Sequence, residues 1–309
     1  MQTGAKTWAF LIASSMLSAC GGGGGGTVGP TPPLVTTTFT SWRDPVAGKA
    51  IKIDGRGEEV SYGFDLGSQL ITSIEHPPRE VSASAVFTFS DAGNLNGLFL
   101  TSGSTPVAAF DQISVMAADQ DFVTAASTTS TAIMSNPKST AWDYQSFGVW
   151  ETGLDTNSGS HGVMSLGNSA GTVIPPSGTT NSNFIGKVIG SYVSATGQGR
   201  TTVLADLVVN VDWSTQSLTL STLNTRTSTN GSLFTTSTPV DLTISGTLNY
   251  APNINGFSGT LTTASGLSGN STGQFYGPNA EELGGVFILQ DPINSTSPET
   301  YSGAYGAKR

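Results

Sequence analysis

One cysteine, Cys20, stands in the 309 residues of the chain. No intrachain disulfide can form, so a folded body must draw its stability from packing and strand pairing. The two histidines, His76 and His161, have no ligating neighbours in sequence, whereas zinc needs three or four ligands at coordinating spacing. His76 precedes Pro77-Pro78 and His161 reads as a residue of a Ser-Gly loop, so no metal or other cofactor is expected. Charged residues make up 11% of the chain, against about 25% in an average protein. With 12 Lys+Arg against 21 Asp+Glu, the formal charge is −9 and no basic patch exists to neutralise phosphates, which excludes a nucleic-acid partner. The only apolar run, Trp8 to Leu17, is shorter than the about 20 residues that span a bilayer.

What is present begins with that run. Lys6 precedes it, and small residues follow it in Leu17-Ser18-Ala19-Cys20. This segment resembles a bacterial lipoprotein signal, matching its lipobox at all four positions. The resemblance implies removal of residues 1–19 and acylation of Cys20. Each buried methylene is worth roughly 0.8 kcal/mol, so several acyl chains anchor a body durably. Gly21 to Gly26 and the prolines up to Pro33 make residues 20–38 a flexible tether. Gly21 stands where an aspartate would resemble an inner-membrane retention signal, so an outer-membrane location is expected.

Beyond the tether, 39 glycines, abundant threonine and little helical periodicity point to an all-β protein. Alternation is cleanest over 203–213, where Val203, Ala205, Leu207, Val209, Val211 and Trp213 share one face. It recurs over 241–250, with Leu242, Ile244, Leu248 and Tyr250 on one side. Weaker strand candidates lie at 144–151, 161–167, 183–193, 216–222, 257–262, 272–276, 284–290 and 300–306. About eight short antiparallel strands suit a small soluble barrel, since closure removes exposed edges. Residues 138–309 are assigned to this barrel. Residues 39–137 form a smaller β-rich domain before it, with strand candidates from Ala50 to Leu100 and a Ser/Thr/Ala-rich connector over Thr124 to Thr140.

Near the C-terminus stand Gly273, Phe275, Tyr276, Gly277, Pro278, Ala280, Glu282, Gly284, Gly285 and Phe287, followed by Gly303-Ala304-Tyr305-Gly306-Ala307-Lys308-Arg309. Here the chain resembles the C-terminal β-barrel domain of transferrin-binding protein B-like surface lipoproteins, which carry a G-x-F-Y-G-P-x-A-x-E-x-G-G-x-F hairpin and a closing G-A-F/Y-G-A-K-R strand. The residues have their own folding logic. Gly277-Pro278 suits a sharp turn, Phe275 and Phe287 pair across strands or fill the barrel, and Gly284-Gly285 allows a bulge or close strand approach. Glu282 is placed to bond the amides of its own turn. These roles identify a scaffold rather than a binding site.

Catalytic patterns are weak. Gly167-Asn168-Ser169-Ala170-Gly171 matches a nucleophile elbow formally, but Pro175-Pro176 cannot belong to the helix that must follow. Asp91 to Gly97 lacks the alternating carboxylates of a calcium loop and reads as a hairpin turn. Glu58-Glu59 and Glu281-Glu282 point apart on a strand, against an acid/base dyad, while Trp142 and Trp150 read as core. No enzyme is expected. The resemblance implies a cell-surface, outer-membrane lipoprotein that binds a host protein or haem-type ligand in iron acquisition, working with a TonB-dependent receptor. In that case residues 39–137 occupy the place of a β "handle". The alternative is a structural or adhesive envelope lipoprotein without a soluble ligand.

Overall fold

The computed structural model describes residues 35–44, 46–169, 181–197, 200–229, 234–235, 240–294 and 296–309. The signal segment, Cys20 and most of the tether lie outside the described residues, as do positions 170–180 after the elbow-like sequence. The described residues belong to one compact unit and contain no helix; the fold is all-β.

The first sheet has eleven strands. They are β1 (Thr37–Thr38), β2 (Ala50–Asp65), β3 (Leu70–Ile74), β4 (Arg79–Phe89), β5 (Leu95–Ser102), β6 (Thr105–Phe110), β7 (Ile113–Val115), β8 (Phe122–Ala126), β9 (Ser130–Ser135), β10 (Gln145–Thr152) and β11 (Ser158–Gly167). Its path runs β6-β5-β4-β2-β11-β10-β9-β8-β7, with β1 and β3 beside β2. The path ends on β6 and β7, which are neighbours in the chain separated only by Asp111 and Gln112. The sheet therefore curls back to its start as a nearly closed barrel.

The second sheet is a closed antiparallel barrel of eight strands. They are β12 (Asn181–Val193), β13 (Arg200–Asp212), β14 (Ser217–Ser228), β15 (Ile244–Tyr250), β16 (Gly256–Thr263), β17 (Ser268–Tyr276), β18 (Glu282–Gln290) and β19 (Thr300–Lys308), with β19 closing onto β12. The faces assigned by alternation on β13 and β15 point into the barrel core.

Two sequence expectations are corrected. The Ser/Thr/Ala-rich stretch 124–140 is not a connector. It contains most of the β8–β9 hairpin, whose Phe122, Val123, Ala125, Ala132 and Met134 are buried in the first core. The division between sheets falls between Gly167 and Asn181, so a boundary near 138 cuts the first sheet between β9 and β10.

The two sheets share a core. Ile189, Leu204, Val286, Ile288 and Ala304 point outward from the barrel and pack into the core of the first sheet. Each fully buried Ile, Leu or Val is worth about 1.5–3 kcal/mol, enough for this contact to hold the sheets as one body. It also explains why β18 and β19 are buried on both faces almost throughout.

Candidate functional site

Among the described residues, a column of packed aromatic rings occupies the barrel interior. Phe275 is fully buried, with its ring centre 5.2 Å from Trp213, 5.7 Å from Tyr250, 5.3 Å from Phe257 and 6.4 Å from Phe184. Phe287 packs against Tyr301 at 5.1 Å and Tyr305 at 6.4 Å. Phe275 and Phe287 thus fill the barrel separately; their cross-strand partners are Leu283 and Ser271. Buried ionisable groups gather at the joint between the sheets, among them Glu58, Glu151, His161 and Glu282.

The sequence motif builds one end of this joint. Gly277 takes φ +82°, a left-handed conformation that costs glycine little, and the turn over 277–281 is capped by Glu281 accepting the Asn279 N–H at 2.8 Å. Ala280 also has positive φ and sits at the barrel end, 1% exposed. Glu282 does not cap this turn. Its two oxygens accept the backbone N–H groups of Asp143 at 2.6 Å and Tyr144 at 3.1 Å, at the entrance to β10. Burial pushes the Glu282 carboxyl up to about 7, with the two N–H donors holding it back from a larger rise. Asp143 accepts from Lys308 and, at 2.5 Å, from Arg43. Burial opposes ionisation of Asp143, yet these two cations outweigh it and hold the carboxyl below its usual range.

Gly284 and Gly285 form no bulge. They pair continuously with Gln274 and Gly273. A Cβ on Gly284 would sit 2.4 Å from Gln145 Oε1 and 2.9 Å from Ser165 Oγ, so the absent side chain makes room for the first sheet. Tyr276 completes the contact through a 2.8 Å hydrogen bond with Ser165.

At the other end, Arg200 of β13 leaves the barrel to pair with Glu151 of β10 at 2.7 Å. Its guanidinium lies 4.7 Å from the ring centre of Tyr62 and 5.1 Å from that of Phe64, both on β2. Burial pushes Glu151 up to about 7, against the pull of Arg200. His161 is a strand residue on β11 rather than a loop residue, and its Nε2 lies 2.6 Å from Ser302 Oγ. Burial pushes this imidazole down to about 4, and Arg200 adds to the effect. A Ser–His pair invites a catalytic reading, but Ser302 is 2% and His161 8% exposed. The adjacent cavity of about 70 Å³ has room for roughly two waters. The pair works as a cross-link between sheets.

Between these ends an open groove runs along the joint. One part, about 490 Å³, is lined by Arg56, Glu80, Ser82, Thr272 and Gln274; a second, about 280 Å³, by Glu58, Pro77, Pro78, Asn270 and Gln290. Glu58 stands directly across from Glu80 on the β2–β4 ladder. Burial, then the charge of Glu80, pushes its carboxyl up to about 7, partly offset by a hydrogen bond from Thr272. Glu58 does not pair with Glu59, as alternation requires; what the sequence conceals is that a strand from another sheet closes over it. Trp142 and Trp150 are both core, at 2% and 3% exposure. Among the described residues no three His, Cys, Asp or Glu side chains form a metal-binding group.

The family model describing the C-lobe and N-lobe β-barrels of transferrin-binding protein B matches residues 137–309. Similar solved structures include transferrin-binding protein B from Haemophilus parasuis, 12% identical, covering 85% of this chain and 76% of that one with a TM-score of 0.39. The isotype 1 protein from Neisseria meningitidis is 13% identical, covering 85% and 77% with a TM-score of 0.38. HpuA from Kingella denitrificans, in complex with human haemoglobin, is 16% identical, covering 90% and 95% with a TM-score of 0.42. No curated protein matches the chain.

Proposed function

We propose, for a chain that belongs to the transferrin-binding protein B β-barrel family, that its body is a non-enzymatic binding module for an iron-carrying host protein. In this reading Cys20 is acylated, residues 1–19 are removed, and the Gly/Pro tether holds the module on the outer face of the outer membrane, where it passes its cargo to a TonB-dependent receptor. The filled barrel is the observation that carries the choice of ligand. Phe275 and Phe287 and their aromatic neighbours occupy the interior, so a small ligand enclosed in the barrel is disfavoured and a macromolecule meeting the outside is favoured. The joint supports the same reading, because its cross-links present loops and groove as one rigid surface.

Affinity capture tests this. The mature protein, residues 20–309 without acyl chains, is immobilised and exposed to serum and to haemoglobin. Retention of transferrin or haemoglobin, competed by the free module, is the expected result. Retention of neither, together with full protection from protease on intact cells, would overturn both the ligand class and the surface location.

A further inference from the structure

One outer wall of the barrel, which reaches the joint groove at Asn270, has a uniformly neutral polar chemistry. A single register row crosses six strands as Asn183, Asn210, Thr219, Thr247, Thr260 and Asn270. All six side chains are exposed. On β15, β16 and the facing half of β14, the rows above and below are also Ser, Thr and Asn, without a charge or a large apolar group. This wall is a ladder of neutral donors and acceptors, spaced about 4.8 Å from strand to strand.

At one end the row sinks into a depression of about 380 Å³, lined by Asn181, Asn183, Asn210, Asp212, Ser217 and Thr219. That volume falls in the range of small-ligand sites, about 300–1,000 Å³. The amides of Asn181, Asn183 and Asn210 have no hydrogen-bond partner among the described residues. Asp212 is prepared differently. Its Oδ1 accepts from the Ser214 N–H at 2.9 Å, the Ser214 hydroxyl at 2.6 Å and the Thr215 N–H at 3.2 Å. These bonds hold the carboxylate ionised and fix its direction. Beneath it, Trp213 donates to Ser182 at 2.9 Å and steadies the floor.

We infer that this depression and the row leading from it form a binding site for a neutral glycan chain. The alternatives fail on charge and polarity. An anion meets the oriented Asp212 carboxylate and no cation. A metal or polycation finds only that one carboxylate. An apolar ligand finds no exposed apolar side chain in the lining. A hydroxyl-rich neutral chain donates to Asp212 and the amide oxygens, accepts from the amide N–H groups, and continues along a row that repeats the same groups. The site is separate from capture of a host protein and does not depend on it.

The test is an array of neutral and acidic glycans probed with the mature protein, followed by titration of any neutral glycan retained. One arm carries desialylated host-type glycans and the other the neutral polysaccharide of the cell's own envelope; binding in either supports the site and says which source supplies the chain. The Asn183→Ala/Asn210→Ala variant removes two exposed amides, so its melting curve should be unchanged while affinity falls roughly tenfold or more. Added salt should leave the affinity unaltered, since no charge pairs form. Failure to retain any neutral glycan, equal binding by the double variant, or binding abolished by salt would each overturn the inference, whatever the outcome of serum capture.

Discussion

Glu282, at the start of β18, accepts the backbone N–H of Asp143 at 2.6 Å from the far side of the joint. The carboxylate is fully buried, and its second oxygen serves the N–H of Tyr144. One side chain of the barrel hairpin thus satisfies two donors of the first sheet. Glu282→Ala would leave both N–H groups buried without an acceptor, at a cost of about 2–4 kcal/mol. Glu282→Gln keeps one acceptor and should cost about 1 kcal/mol. Urea denaturation measures both. If Glu282→Ala unfolds at the wild-type midpoint, the bond is incidental to holding the sheets together.

Phe275 contacts four other aromatic rings inside the barrel. Phe275→Ala should cost about 3–5 kcal/mol, the usual price of an aromatic cavity. The cavity would be apolar and dry, so the variant should bind benzene and recover stability on doing so, whereas the wild type should not. Xenon or benzene binding to the wild-type barrel would contradict the filled interior on which the choice of a macromolecular ligand rests.

The barrel was readable where one strand face is buried and the other is wet. On β13 and β15 the inward residues alternate with polar ones, and the structure buries the residues that alternation selects. Alternation fails on β18 and β19 because Val286, Ile288 and Ala304 face the first sheet while Phe287, Leu289 and Tyr305 face the barrel core. The β8–β9 hairpin was hidden for a different reason. Its core positions include Ala125 and Ala132, small residues that carry little strand signal and read as linker beside serine and threonine. The joint itself was illegible. Glu282 meets Asp143, Arg200 meets Glu151 and Ser302 meets His161 across long stretches of chain, and no local pattern encodes such partners. Glu282 is conspicuous within its motif, yet its partners are the N–H groups of Asp143 and Tyr144, 139 and 138 residues away, rather than amides of its own turn.

The anchor has its own test. Cys20 is the only thiol, so Cys20→Ser removes every acylation site of that kind. The expected outcome is release of the protein from the membrane fraction, with the far-ultraviolet spectrum of the body still that of a β protein. An unprocessed precursor of the variant that stays membrane-bound through its uncleaved signal is distinguished by its larger mass. A processed variant that remains as firmly attached as the wild type would sink the lipid-anchor proposal.

The joint should also make stability depend on pH. Burial pushes Glu58, Glu151 and Glu282 up to about 7, above the ordinary glutamate value of about 4.5 that applies in the unfolded chain. Between those values the folded state binds more protons at these three sites, so their contribution is complete below pH 4.5 and is lost as pH rises through 7. His161 acts in the opposite sense. Its pKa is pushed down to about 4, so its contribution is present above 6.5 and lost as pH falls. From pH 8 down to about 5 the three carboxyls outweigh the one imidazole, and the melting temperature should rise. Below about 4.5 the carboxyl gain is exhausted while His161 and the ionised Asp143 are still being protonated against their surroundings, so stability should turn down. Thermal melts across this range should therefore peak in mild acid. Glu151→Gln should weaken the rise between pH 8 and 5 without abolishing it, because Glu58 and Glu282 remain. A flat profile, or a maximum near pH 8, would mean that these carboxyls are solvated and that the joint is looser than its hydrogen bonds indicate.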